Sequence, residues 1–294
     1  MLTVLVPLVV AVVAALCLSA VSARLPGRRA ARLLVASVVA IGVVAWAAAW
    51  SLAVAYLAHV EWATGVIRWC RISLGAGAHA LGTHASPPSL LGMLSMLVGT
   101  LISAQFVVVG LRWHRSKGAH DDEVRVVEDD RPVAFAEPGA RGSVVVTTGL
   151  LATLPPPERR AVLAHELSHR RNRHDRYLVI AAVAAAIPGL GPVGGALRTA
   201  LERWADEDAA RQVGNPEIVA AAIARLALGP GSSEAAPLAA TGGDVAARVA
   251  SLLGGHPAQP TVTAGGLALS ALVGVASLVQ LHHLVAVVAT LCHH

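Results

Sequence analysis

Glu158-Arg-Arg-Ala-Val-Leu-Ala-His165-Glu166-Leu-Ser-His169-Arg170 is the stretch on which the rest of the chain has to be arranged. Histidines four residues apart on a helix lie one above the other, so both imidazoles can reach one metal ion. Glu166 sits about 100° round from His165, near enough to touch a water at that metal without being a ligand. Two nitrogen ligands, an open position and a carboxylate base beside it are what a hydrolytic zinc site needs. A third protein ligand is also required. Leu201-Glu202-Arg203-Trp204-Ala205-Asp206 offers two carboxylates at helical i, i+4 spacing. Glu202 can complete the set, and Asp206 can accept the free ring N–H of a zinc-bound histidine. The plain alternative is an amphipathic helix with solvated histidines; the downstream carboxylate pair argues against it.

These residues resemble the gluzincin membrane metallopeptidases. That group includes the BlaR–MecR sensor-transducers, the heat-shock protease HtpX and the CAAX prenyl proteases. Ala134-Phe-Ala and Gly142-Ser-Val-Val-Val-Thr-Thr-Gly-Leu-Leu resemble the segment such proteins carry before the zinc helix. The similarity covers roughly residues 124–226, and the flanking hydrophobic spans fit the BlaR–MecR layout best. The resemblance implies a zinc endopeptidase with one Zn2+ per chain, with His165, His169 and Glu202 as ligands and Glu166 as base.

Composition fits a membrane protein. Of 294 residues, 55% are apolar and only 14% charged, and the apolar ones fall in long uninterrupted runs. Leu2–Val21, Leu33–Ala58, Leu90–Leu111 and Thr261–Leu291 are each long enough to span a bilayer. Leu18-Ser-Ala-Val-Ser-Ala23 looks like a signal cleavage site, but no positive charge precedes the first run. Arg24, Arg28, Arg29 and Arg32 follow it, which places the N-terminus outside and residues after 112 in the cytosol. Topology therefore accounts for the net charge of +5, and no direct nucleic-acid contact is expected.

The expected fold is mainly α: a polytopic membrane protein with about four transmembrane helices and a cytosolic α+β zincin-like domain before the last span. The domains would be a three-span membrane region (1–111), the cytosolic metallopeptidase domain (112–260) and the final helix (261–294). Val124–Val127, Val133–Phe135 and Ser143–Thr148 read as strands of a small antiparallel sheet. Ser143, Val144, Val145, Val146 and Thr147, which run into the zinc helix, are the candidates to hold an extended substrate by strand addition. The zinc helix should extend to about His174. Five positions from His169, His174 would lie off the zinc face, as a supporting or substrate-contacting group or a surface residue.

Tyr177–Leu197 is apolar but broken by Pro188-Gly-Leu-Gly-Pro192. A full crossing would put Glu202 across the bilayer from His165, so this segment is expected to turn back as a re-entrant or interfacial hairpin. Residues 229–260 read as a flexible linker around a short helix near Asp244–Leu253. His59, His79 and His84 lack ligand spacing, a Cys70–Cys292 bridge is conceivable, and His282 and His283 are unusual within a span.

The expected function is cleavage of a protein or peptide substrate at the cytosolic membrane surface, within the lipid bilayer's reach. By the BlaR–MecR likeness this would be regulatory proteolysis of a transcriptional repressor. The chain ends just after its last span without an extracellular penicillin-binding domain, so sensing would fall to a separate sensor protein. An HtpX-like quality-control protease and a non-catalytic zinc-binding scaffold are the alternatives.

Overall fold

The computed structural model describes residues 2–57, 88–115, 124–137, 143–228, 242–254 and 260–293. In chain order the elements begin with α1 (Leu2–Val21), α2 (Gly27–Leu57), α3 (Ser89–Arg115), β1 (Val124–Val127), β2 (Ala134–Ala136) and β3 (Val144–Thr147). There follow α4 (Thr148–Thr153), α5 (Pro156–Arg171), α6 (His174–Ala186), α7 (Gly191–Val213), α8 (Pro216–Leu228), α9 (Gly242–Leu253) and α10 (Pro260–His293). Among the described residues, four helices (α1, α2, α3 and α10) are long and apolar enough to cross a membrane. The readings on residues 59–87, including Cys70 and the three loop histidines, lie outside the described residues.

The chain divides into two compact units. The first comprises Met1–Cys17, Ala36–Gly110 and Leu267–His294. Its helices meet where small residues face large rings: Gly99 packs against the Trp50 indole and Gly42 against Phe106. Hydrocarbon offers no water, so polar groups gain from internal partners, although the Ser37 hydroxyl and the Gln280 side-chain amide are buried without one among the described residues. Trp46 Nε1 donates to Ser103 Oγ at 2.9 Å, and Ser277 Oγ donates to the Ala40 carbonyl at 3.2 Å. Ser51, Ser95 and Thr100 return their hydroxyls to the carbonyl four residues back. His282 is exposed on α10 and His283 half-buried.

The second unit comprises Leu18–Val35 and Leu111–Gly266, so it includes the turn between α1 and α2 that the sequence assigned to the membrane region. Its sheet has the order β1-β3-β2, with β1 parallel and β2 antiparallel to β3. A mixed sheet replaces the expected antiparallel one. β3 is buried along its length and forms a core with Leu150, Leu154 and Leu167. Thr147 Oγ1 then accepts the Leu150 N–H at 3.2 Å and so starts α4.

Three prolines introduce α5: Pro155 caps it and Pro156 and Pro157 need no donor in the first turn. Glu158 in that turn pairs with Arg225 of α8 at 2.8 Å. The helix stops at Arg171 because Arg173 takes the left-handed conformation, φ 53° and ψ 50°. His174 therefore opens α6 and does not continue the zinc helix, contrary to the expectation from spacing. The break turns the chain back, so angles counted along α5 do not apply to His174.

From Tyr177 to Leu197 no residue is charged, and Ala185–Gly189 form an exposed tip turning at Gly189, φ +84°. Gly194 lets α7 lie close on α6; a Cβ there would meet the Ala181 carbonyl oxygen at 2.6 Å. The pair forms a hairpin, and α7 returns beside α5. Asp208 of α7 accepts hydrogen bonds from Ser168 Oγ (2.7 Å) and Asn172 Nδ2 (2.8 Å), which pin the two helices together. Elsewhere on α7, Arg203 donates to the carbonyls of Leu25 (2.5 Å) and Ser22 (3.3 Å), and Glu207 accepts the Gly27 N–H at 2.8 Å. The guanidinium groups of Arg28 and Arg32 lie 5.5 and 5.8 Å from the Trp204 ring. The turn between α1 and α2 is thus held on the Glu202 helix. The short helix expected near 244–253 is α9; residues 229–241 and 255–259 lie outside the described residues.

Candidate metal centre

α5 presents His165 and His169 on one face, with their Nε2 atoms 3.0 Å apart. Glu202 of α7 faces both: Oε2 is 3.5 Å from His165 Nε2 and Oε1 is 3.6 Å from His169 Nε2. A tetrahedral zinc with bonds of about 2.0–2.1 Å spaces its ligand atoms about 3.3–3.4 Å apart. The three measured edges bracket that value, and two imidazoles with a carboxylate are a zinc-type donor set. Among the described residues this is the metal-competent cluster, and its three members leave a fourth position for water.

Behind this triangle each imidazole has a partner. His165 Nδ1 lies 2.9 Å from Asp206 Oδ1, and His169 Nδ1 lies 2.8 Å from His174 Nδ1. Arg248 of α9 donates to both Asp206 oxygens at 2.8 Å, and another of its nitrogens is 3.3 Å from Glu202 Oε2. Glu166 points its Oε2 at the Ala136 N–H of β2, 3.0 Å away.

Burial and charge set the protonation of these groups. Burial disfavours charge on His165, but the Asp206 and Glu202 carboxylates outweigh it and raise its pKa to about 10. Burial, then the charge on His165, lowers His169 to about 4. Burial pushes Glu166 up to about 7. Glu202 and Asp206 resist burial because histidine and arginine neighbours hold both below the usual carboxylate range. His174 is lowered to about 3, first by burial and then by His169.

A proton-linked prediction follows from His165. Below its unfolded pKa near 6.5 the charged ring's contribution to metal-free stability is fully present, and it is lost as pH rises through about 10. Zinc needs that ring neutral, so zinc uptake at pH 8 should expel about one proton per site from His165, beyond the proton that a zinc-bound water would itself give up. Calorimetry in buffers of different ionisation enthalpy measures this. Proton-free uptake at pH 8 would contradict the assignment of His165.

The structure brings together His165, Glu166, His169, Glu202, Asp206 and His174. It does not offer Ser143–Thr147 as a substrate edge: β3 is the middle strand, and β1 and β2 occupy both its sides. β1 and β2 each leave an outer edge, and the β2 edge is the one beside Glu166. Val133, Phe135 and Glu137 pair towards β3, since Thr147 N–H reaches the Val133 carbonyl and Glu137 N–H the Ser143 carbonyl. Ala134 and Ala136 therefore turn their backbone groups the other way, and Ala136 meets Glu166. Arg248 was the residue the sequence reading missed. Its only signal was a lone arginine within Val245-Ala-Ala-Arg-Val-Ala-Ser-Leu.

Residues 104–232 match the signature of Peptidase family M48. The chain is 44% identical over 75 residues to the Protease HtpX homolog of Leuconostoc mesenteroides, covering 24% of this chain and 25% of that protein. It is 43% identical over 67 residues to Protease HtpX homolog 2 of Methanosarcina mazei, covering 22% and 23%. A third relative, the Protease HtpX homolog of Acidiphilium cryptum, is 37% identical over 75 residues, covering 25% and 26%. The chain thus spans about a quarter of the length of the curated relatives it matches. No solved structure matches. These likenesses support a membrane-type zinc metallopeptidase and give no separate support to the BlaR–MecR likeness.

Proposed function

We propose that this chain is a zinc-dependent membrane endopeptidase that cuts protein substrates at the cytosolic membrane surface. The observation that carries the reading is the His165–His169–Glu202 triangle with Glu166 beside it. Bound zinc would supply a Lewis acid that makes water a nucleophile near neutral pH. Glu166 accepts the proton of the attacking water and passes it to the leaving nitrogen. Its hydrogen bond to Ala136 aims it, and a pKa near 7 suits both halves of that transfer. The outer edge of β2 receives the substrate as an added antiparallel or parallel strand through the Ala134 backbone groups and the Ala136 carbonyl, next to the base that holds the Ala136 N–H. Because Glu166 must be ionised to act, activity falls as pH drops through about 7 and below.

Membrane sidedness has its own support. The turn between α1 and α2 contains Arg24 and is followed by Arg28, Arg29 and Arg32, and α7 grips it through Arg203 and Glu207. The positive charge keeps that turn cytosolic, so the helix bearing Glu202 is cytosolic with it and the N-terminus lies outside. The uncharged tip of the α6–α7 hairpin then dips into the inner leaflet.

For the role, the likeness to HtpX-type proteases fits a membrane quality-control protease about as well as a regulatory one. Cleavage of a repressor under a separate sensor protein is the second reading, supported by the arrangement of spans. Full-length chain in detergent should cleave an unfolded protein such as casein, stop with a zinc chelator and resume with zinc. Stoichiometric zinc without turnover would establish the scaffold instead. Comparing membrane and cytosolic proteomes of cells carrying wild type or Glu166→Gln separates the roles. Many uncleaved membrane proteins mark quality control, and one intact DNA-binding protein marks regulation.

A further inference from the structure

His165 and His169 are backed by different chemistry. His165 Nδ1 meets a carboxylate, whose acceptor role is fixed because ionised Asp206 has no proton to give. His169 Nδ1 meets a second imidazole nitrogen, His174 Nδ1, at 2.8 Å. Either ring could be the donor there, and the two choices differ in what they leave at His169 Nε2. If His174 donates, the proton of neutral His169 sits on Nε2, where a metal needs a lone pair. If His169 donates, its Nε2 is free to ligate.

We infer that His174 is a positioning residue that accepts the His169 Nδ1 proton and thereby fixes His169 in the tautomer that binds zinc through Nε2. The inference rests on the zinc reading of the site and names the group that completes it. His174 is suited to the task by its surroundings. It is 1% exposed, its ring centroid lies 4.7 Å from that of Trp204 and 6.2 Å from that of Tyr177, and its Nε2 has no hydrogen-bond partner. An orphaned nitrogen in an aromatic pocket disfavours the imidazolium, which would donate from both nitrogens and could accept nothing from His169. The left-handed Arg173 is what turns His174 back under His169, and the aromatic cluster holds its ring in place. The zinc triangle thus has one imidazole oriented by an anion and one by a neutral acceptor.

The test uses full-length protein in detergent, with zinc affinity measured by chelator competition. His174→Leu removes the acceptor at similar bulk and should weaken zinc binding about 10–100-fold. His174→Asn restores an acceptor oxygen near the Nδ1 position and should bind within about threefold of wild type. Nitrogen NMR of zinc-loaded wild type should show His169 protonated at Nδ1 and His174 protonated at Nε2 only, which needs no variant. The inference is overturned if the leucine variant binds zinc like wild type, or if asparagine fails as badly as leucine. It is equally overturned if the loaded protein carries its proton on His174 Nδ1. Wild type that takes up no zinc strikes the metal centre itself, and the proposed function goes with it.

Discussion

Glu166→Gln is expected to leave zinc bound and to lower peptide cleavage about 10²–10⁴-fold. The substitution changes little besides proton affinity. Glutamine has the same length and still offers an oxygen to the Ala136 N–H now held at 3.0 Å. What it lacks is a site that can take a proton from water near neutral pH and return it. Because burial already pushes Glu166 up to about 7, removing its charge should not destabilise the fold. Zinc content equal to wild type, an unchanged melting temperature and lost cleavage together are the expected result. Cleavage at the wild-type rate would remove Glu166 from the reaction.

A second large effect is expected at Asp206, which touches neither substrate nor metal. It is 2% exposed, accepts from His165 Nδ1 and receives two hydrogen bonds from Arg248. Asp206→Ala leaves a guanidinium whose other carboxylate neighbour in the site is Glu202, 3.3 Å away. Arg248 would then compete for the oxygens that face the histidines, while His165 loses its orienting partner. Removing one member of a buried charged pair costs about 3–5 kcal/mol of stability. Zinc affinity should fall by more than about 100-fold, beyond the loss of a single orienting bond. Adding Arg248→Leu should recover part of both losses, since the competing cation is gone. Chelator competition and thermal melting on the two single variants and the double variant check this. A double variant weaker than either single one would show that Arg248 does not act through Glu202.

The metal triangle was legible because a helix converts spacing into a shared face. His165 and His169 needed only the i, i+4 rule, and Glu202 and Asp206 carried the same spacing on a second helix. The spans were legible for a related reason, since their length and lack of charge survive any detail of packing. Strand order was not. β3 follows β2 directly and leads into α4, but which strand ends up central depends on β1 pairing across the hairpin, which no local pattern encodes. His174 was misplaced because one left-handed arginine ended α5 early, and Arg173 carries no marker as glycine would. Arg248 lies 42 residues beyond Asp206 in sequence, so its role exists only in the packed structure.

Zinc K-edge X-ray absorption on purified full-length protein tests the metal centre most directly. One zinc per chain is expected, with two imidazole nitrogens at about 2.0–2.1 Å, oxygens at about 2.0–2.2 Å and no sulfur. In Glu202→Ala the histidine signal should persist only at greatly raised zinc concentration. Absence of zinc, a sulfur ligand near 2.3 Å or a Glu202→Ala variant with unaltered affinity would contradict the account.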